Sequence, residues 1–221
     1  NTKRIVTLCN ELMYWFFLDN PANQELGFER LDFFLESLDD EVGSHHCIKA
    51  IFKNNERLMR LCSHSYLEDM VQKIIKNGKR PEYLSIMTAI SHVGELNIVE
   101  NQFEIIKQLA SPSRLPKVMC FLCPTDHIDY LEKVALMEPF QNTGEVNLDD
   151  LHPKLAYHLT FLEVLSGCTV GRINITTVEA KVQSIFNFKY ILDALLDKRS
   201  ITIAKTKMGL YFFNAIVEVE M

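Results

Sequence analysis

Apolar side chains recur at helical spacing along most of this chain, and polar or Gly/Pro corners interrupt them roughly every fifteen to twenty residues. Thr2–Leu18 carries Ile5, Leu8, Cys9, Leu12, Trp15 and Phe16 on one broad face. Asn20-Pro21 then opens a second helix, since an Asn side chain caps free amides and Pro suits the first helical position. Leu26, Leu31, Phe34, Leu35 and Leu38 predict that helix, with Phe28 and Phe33 widening its stripe past half the circumference. A stripe that wide needs partners on two sides, which places this helix inside a stack. The polar break Asp39–Ser44 ends in a serine placed to cap the next helix, and Ile48–Leu61 is cornered at Asn54-Asn55.

Ser63 or Ser65 caps a further helix through Leu67, Met70 and Ile74, closing at Asn77-Gly78. Pro81 starts another through Leu84, Met87, Ile90 and Val93 to Gly94, and Asn97 caps one with Ile98, Phe103, Ile106 and Leu109 inward. The stretch from Ser111 to Gly144 reads differently. Pro112, Pro116, Pro124 and Pro139 punctuate it, leaving room for one helix at Asp126–Met137 and a short extended run at Val118–Cys123. Helical spacing returns with Leu155, Leu159, Leu162 and Leu165, followed by Val178–Phe186, Tyr190–Leu196 and Ile201–Val217. The expectation is an all-α, armadillo-like helical solenoid or bundle in two lobes, residues 1–110 and 148–221, with a Pro-rich irregular insertion or boundary at 111–147.

Composition narrows the function classes. Hydrophobic residues are 48% and charged residues 24% of 221, with only 8 Gly and 7 Pro, as in a folded helical protein. A net charge of −6 argues against a nucleic-acid partner. The longest apolar run, Leu12–Leu18, falls far short of the ~18 residues a membrane span needs, so this piece makes no direct membrane contact. The ends at Asn1 and Met221 read as those of an excised segment. Six scattered cysteines among apolar neighbours read as buried thiols of a reducing compartment.

Candidate chemistry is sparse. Cys120-x-x-Cys123 with His127 has the makings of a zinc site, and His45-His46-Cys47 offers a fourth ligand, but a structural zinc site shows two such pairs at regular spacing. One pair within an apolar run reads as packing. No cysteine sits in an elbow-like context, so thiol catalysis has no support. His45-His46 beside Asp39, Asp40 and Glu41 reads as a solvated loop, and Asp149-Asp150 as a helix cap rather than calcium ligands. No cofactor is expected, and no phosphate-cradling glycine loop is present.

Two stretches carry a resemblance. Asn23-Gln24-Glu25 opening a helix, followed by the Asn54-Asn55 corner and a Leu-rich helix, resembles the RIH domain of inositol trisphosphate and ryanodine receptors. The stretch around Tyr157-His158, Leu162, Leu165, Cys168-Thr169, Gly171, Ile175, Glu179, Lys181, Lys205 and Asn214, closing on Glu218-Val219-Glu220-Met221, is similar to a region following an RIH domain in inositol trisphosphate receptors. In the ligand-binding copy, the resemblance implies, basic residues precede the Asn-Gln-Glu and follow the Asn-Asn. Here Pro21-Ala22 and Glu56-Arg57 hold those places, so inositol trisphosphate is not expected to bind.

The function so implied is a non-catalytic cytosolic scaffold within a calcium-release channel. It would relay ligand-driven rearrangement toward the pore, partnered by other domains and subunits of a homotetramer on an endoplasmic reticulum-like store. The alternative is a free-standing armadillo-like scaffold that binds proteins and has no channel.

Overall fold

Capped helices and tight corners make up most of the computed structural model, which describes residues 2–121, 128–171 and 176–218. The first five helices are α1 (Thr2–Phe17), α2 (Pro21–Phe28), α3 (Leu31–Glu36), α4 (Ser44–Phe52) and α5 (Glu56–Leu61). Asn20 caps α2 by accepting from Asn23 N, and Asn55 caps α5 by accepting from Leu58 N. Asn54 turns the corner between α4 and α5 at φ 58°, a left-handed conformation that Asn tolerates better than most residues.

The long helix expected from Pro21 to Leu38 is in fact two, broken at Glu29-Arg30, with a 3-10 turn over Ser37–Asp40. The reason is a close approach. Gly27 lies so near α4 that a Cβ there would sit 2.7 Å from Ile51 and 2.9 Å from Phe17. The break lets α3 re-aim Leu31, Phe34 and Leu35 into the core, while Leu26 and Phe33 stay exposed. Ser44 does not cap α4 either; Gly43 holds that position in a left-handed conformation. The Ser44 hydroxyl instead meets Ser37 Oγ at 2.6 Å and accepts from Asn10 Nδ2 at 3.3 Å.

Ser63 caps α6 (His64–Asn77), and a 3-10 turn at Pro81–Leu84 leads into α7 (Ser85–Ile90). Around Gly94 the chain forms a tight hairpin, β1 (His92–Val93) against β2 (Leu96–Asn97), where the spacing predicts a helix through Val93 that stops at Gly94 and a new one capped by Asn97. Asn97 is thereby used in the hairpin, and Ile98 holds the N-cap position of α8 (Val99–Leu109) without a side-chain hydrogen bond. On α8, Ile105, Ile106 and Leu109 are buried but Phe103 faces out. The middle stretch holds α9 (Leu115–Val118), α10 (Ile128–Met137) and a 3-10 turn at Glu138–Phe140, with Met119, Cys120 and Phe121 buried in irregular backbone.

A capping box between Asn147 and Asp150 closes a 3-10 turn, and His152 caps α11 (Pro153–Gly167). Almost every position of α11 from Leu155 to Gly167 is buried, as expected of a helix apolar all round. It packs against Pro81–Leu84 and α7 on one side and against α14 (Thr202–Phe212) on another. Between them come α12 (Thr176–Gln183) and α13 (Phe188–Leu196), and α14 runs into a widened π-helical turn at Phe213–Val217. The buried apolar side chains form one continuous cluster from Phe17 to Ala215.

Helix α1 departs furthest from expectation. Its buried positions are Asn10 and Phe17, whereas Ile5, Leu8, Leu12, Trp15 and Phe16 point into solvent.

Candidate functional site

The two halves of the Asn-Gln-Glu and Asn-Asn pattern, some thirty residues apart, are brought into direct contact. Gln24, the middle residue, is buried, and its Nε2 donates to the carbonyls of Ala50 and Lys53, both at 2.9 Å. Those carbonyls lie at the C-terminal end of α4, where four acceptors have no intrahelical partner. Gln24 Oε1 accepts from Asn55 Nδ2 at 2.8 Å, while Asn55 Oδ1 caps α5. Asn23 Nδ2 donates to Phe16 O at the end of α1, at 2.7 Å. One amide cluster thus ties together the ends of α1, α2, α4 and α5.

The charges around this knot are already paired. Glu25 takes Arg57, and Asp19 takes Lys53 at 3.1 Å and Asn54 at 3.2 Å. Arg60 bridges Glu56 and Glu100 at 2.8 and 3.1 Å. Lys53, Arg57 and Arg60 each have a carboxylate partner.

The same device recurs at other corners, where sequence spacing alone did not single it out. Asn10 Nδ2 donates to Val42 O at 3.0 Å. Asn101 Nδ2 bridges Met59 O and Ile90 O at 2.9 and 3.0 Å. Gln102 Nε2 reaches Gly167 O and Val170 O at 3.0 and 3.1 Å, fastening α8 to the end of α11. A buried amide on an otherwise apolar helix face is the signal that marks such residues, because it persists only when its donors are used.

Tyr157 and His158 belong to a separate cluster. The Tyr157 hydroxyl donates to Val118 O at 2.7 Å, which pins the irregular middle stretch to α11. The His158 ring lies edge-on to Phe121 and Phe186. Burial, and then the Lys133 ammonium, hold its pKa well below the ordinary histidine value. Lys133 is itself buried; its Nζ sits 3.0 Å from Tyr190 Oη and over the rings of Tyr130 and Tyr190. Burial pushes its pKa down to about 8.

His45 and His46 occupy the first turn of α4, not a solvated loop. They line a cleft of about 650 Å³ with Lys49, Arg80, Asp149 and Lys207. Charges of both signs meet there. Arg80 donates to Leu38 O and Asp39 O and lies near Glu41 and Glu82, and Lys207 pairs with Glu163 at 2.8 Å. Burial is the main cause that pushes the His45 pKa down to about 3, with His46, Lys49 and Arg80 adding to it.

Of the candidate zinc ligands, Cys120 is a buried thiol, while Cys123 and His127 lie outside the described residues. Among the described residues no three His, Cys, Asp or Glu side chains cluster as a metal site would require. Burial raises the thiol pKa of Cys47 and Cys62 to about 12, and it also raises those of Cys120 and Cys168. Such thiols are poor nucleophiles. Glu218 ends the described chain, and Met221 lies beyond it. Among the described residues no helix is long and apolar enough to cross a membrane.

The RIH domain family model (RYDR_ITPR) matches residues 1–121. The chain is also 22% identical over 211 residues to the inositol 1,4,5-trisphosphate receptor itr-1 of Caenorhabditis elegans. That alignment covers 92% of this chain but only 7% of the relative.

Proposed function

Since the chain belongs to the RIH domain family, we propose that it is a cytosolic helical segment of an inositol trisphosphate receptor-like calcium-release channel. In this reading it relays ligand-driven rearrangement toward the pore and neither catalyses a reaction nor binds the ligand. The observation that carries the proposal is the unbroken apolar cluster from Phe17 to Ala215. A body with one continuous core moves as a unit, because packed interiors switch between discrete arrangements rather than deform smoothly. Its partners would then be the other domains and subunits of the parent channel, on the cytosolic side of an endoplasmic reticulum-like store. We read residues 1–110 and 148–221 as two lobes of this body joined by 111–147. Proteolytic nicking in the exposed 141–145 loop, followed by gel filtration in mild denaturant, tests whether the two parts separate.

The non-binding half of the proposal rests on the paired charges at the knot. Three phosphates need several converging cations to offset their desolvation, and Lys53, Arg57 and Arg60 are each engaged by a carboxylate. Calorimetry of the 221-residue chain with inositol trisphosphate should show no heat of binding; micromolar or tighter affinity overturns this half. For the relay half, loosening the knot with Gln24→Ala in the parent channel should lower ligand-evoked calcium release while leaving ligand affinity unchanged. Unaltered release from a folded Gln24→Ala channel argues against a relay.

A further inference from the structure

The outer face of α1 is a seam without a partner among the described residues. Ile5, Leu8, Leu12 and Trp15 follow a three-four spacing over two heptads, the pattern of positions that face another helix in knobs-into-holes packing. Their exposures are 61%, 55%, 70% and 63%, and Phe16 and Cys9 border them in the open. The opposite edge of the helix, at Asn10 and Phe17, is the one that packs on the core. The helix therefore has two packing faces, of which the body described above uses one.

A stack of helices that ended at α1 would present a polar outer face, since terminal units need one for solubility. This outer face is apolar, so α1 has the character of an interior layer. Residues 1–221 span 7% of the length of the receptor relative, leaving ample polypeptide to supply the next layer. A second copy is a poor fit. Antiparallel self-pairing through this seam sets Glu11 against Glu11 of the other copy, and parallel pairing puts two Trp15 indoles in one layer.

We propose that the Ile5–Trp15 seam is the docking face for a further amphipathic helix of the same polypeptide, from outside residues 1–221. That helix would carry its own heptad seam, flanked by a basic residue opposite Glu11 and an acidic one opposite Arg4. The proposal rests on the reading of the chain as part of a larger receptor.

Cys9, exposed at the rim of the seam, reports on it directly. Maleimide labelling, followed peptide by peptide by mass spectrometry, is compared between the 221-residue chain and the longer parent protein. Cys9 should label about tenfold or more slowly in the parent, and Leu12→Glu should restore the fast rate there. Leu12 is mostly solvent-exposed in the 221-residue chain, so Leu12→Glu should leave that chain's own urea midpoint unchanged, which confirms that the variant folds. Equal rates in both proteins overturn the proposal, as does slow labelling in the parent that Leu12→Glu fails to release. Protection that grows with concentration of the 221-residue chain, with a blue shift of its single tryptophan, overturns it in favour of a second copy. The readout makes no reference to ion conduction. A failed relay assay leaves this result standing, and a bare seam leaves the relay untouched.

Discussion

Replacing Gln24 with methionine keeps the length of the side chain and removes all its polar chemistry. Three hydrogen bonds disappear, two to the carbonyls of Ala50 and Lys53 and one from Asn55. Gln24 is 1% exposed, so water cannot replace the lost partners without opening the corner. A net loss near 1 kcal/mol per bond, plus the penalty for orphaned buried acceptors, gives about 3–5 kcal/mol. For a chain of this size that corresponds to a fall in Tm of roughly 10 °C. Urea titration followed by far-UV circular dichroism measures it, with Glu25→Gln as the control. That substitution removes only the exposed Glu25–Arg57 pair, whose cost should stay below about 1 kcal/mol. A double-mutant cycle with Asn55→Ala should return coupling of about 1 kcal/mol between Gln24 and Asn55. If Gln24→Met costs no more than Glu25→Gln, the amide knot is ornamental and the account of the corner given above is wrong.

Three further outcomes follow from buried groups. Lys133→Met should stabilise the chain at pH 7 by about 1–3 kcal/mol, because a buried ammonium with a lowered pKa costs more than an apolar side chain there. Lys133's own share rises as pH goes from about 8 toward 10.5, where only the unfolded lysine keeps its proton, so the advantage of K133M over the native chain should shrink across that range; a K133M destabilised at pH 7, or an advantage that does not shrink, refutes this. His158 is neutral when folded and takes up a proton when unfolded, so its contribution is complete above the ordinary histidine pKa of 6.5 and is lost as pH falls below it. Its share of the slope is up to about 1.4 kcal/mol per pH unit, additional to that of His45, His46 and His92, whose pKa values are also lowered. Urea midpoints at several pH values should show a shallower acid slope in His158→Gln, and an unchanged slope removes His158 from the account. Gly27→Ala places a methyl against Ile51 and Phe17 and should cost about 1–3 kcal/mol; a neutral result in thermal unfolding means that α2 shifts away freely.

Much of this fold was legible along the chain, and the legible parts share a property. Asn20, Asn55 and Ser63 cap helices by bonding to amides two or three residues on, so their roles are complete within a few positions of sequence. The Asn-Gln-Glu and Asn-Asn pair was visible as a spaced motif, although spacing could not show that Gln24 and Asn55 grip each other. His45 and His46 looked like loop residues because the acidic stretch before them is polar; the backbone turns left-handed at Glu41 and Gly43 and restarts as a helix sooner.

Sequence by itself determined that this is a chain of short capped helices with more apolar surface than a single stripe per helix can hide. Tertiary structure decided which surface is hidden. Periodicity identifies an apolar face but carries no information about what lies opposite it. On α1 the outward seam reads as a better core face than Asn10 and Phe17, the pair the protein buries. The break at Glu29-Arg30 and the hairpin at Gly94 have the same origin. Each lies beside a close approach to a neighbour distant in sequence: a Cβ on Gly27 would stand 2.7 Å from the Ile51 side chain of α4, and one on Gly167 of α11 would stand 2.7 Å from the Ser91 hydroxyl.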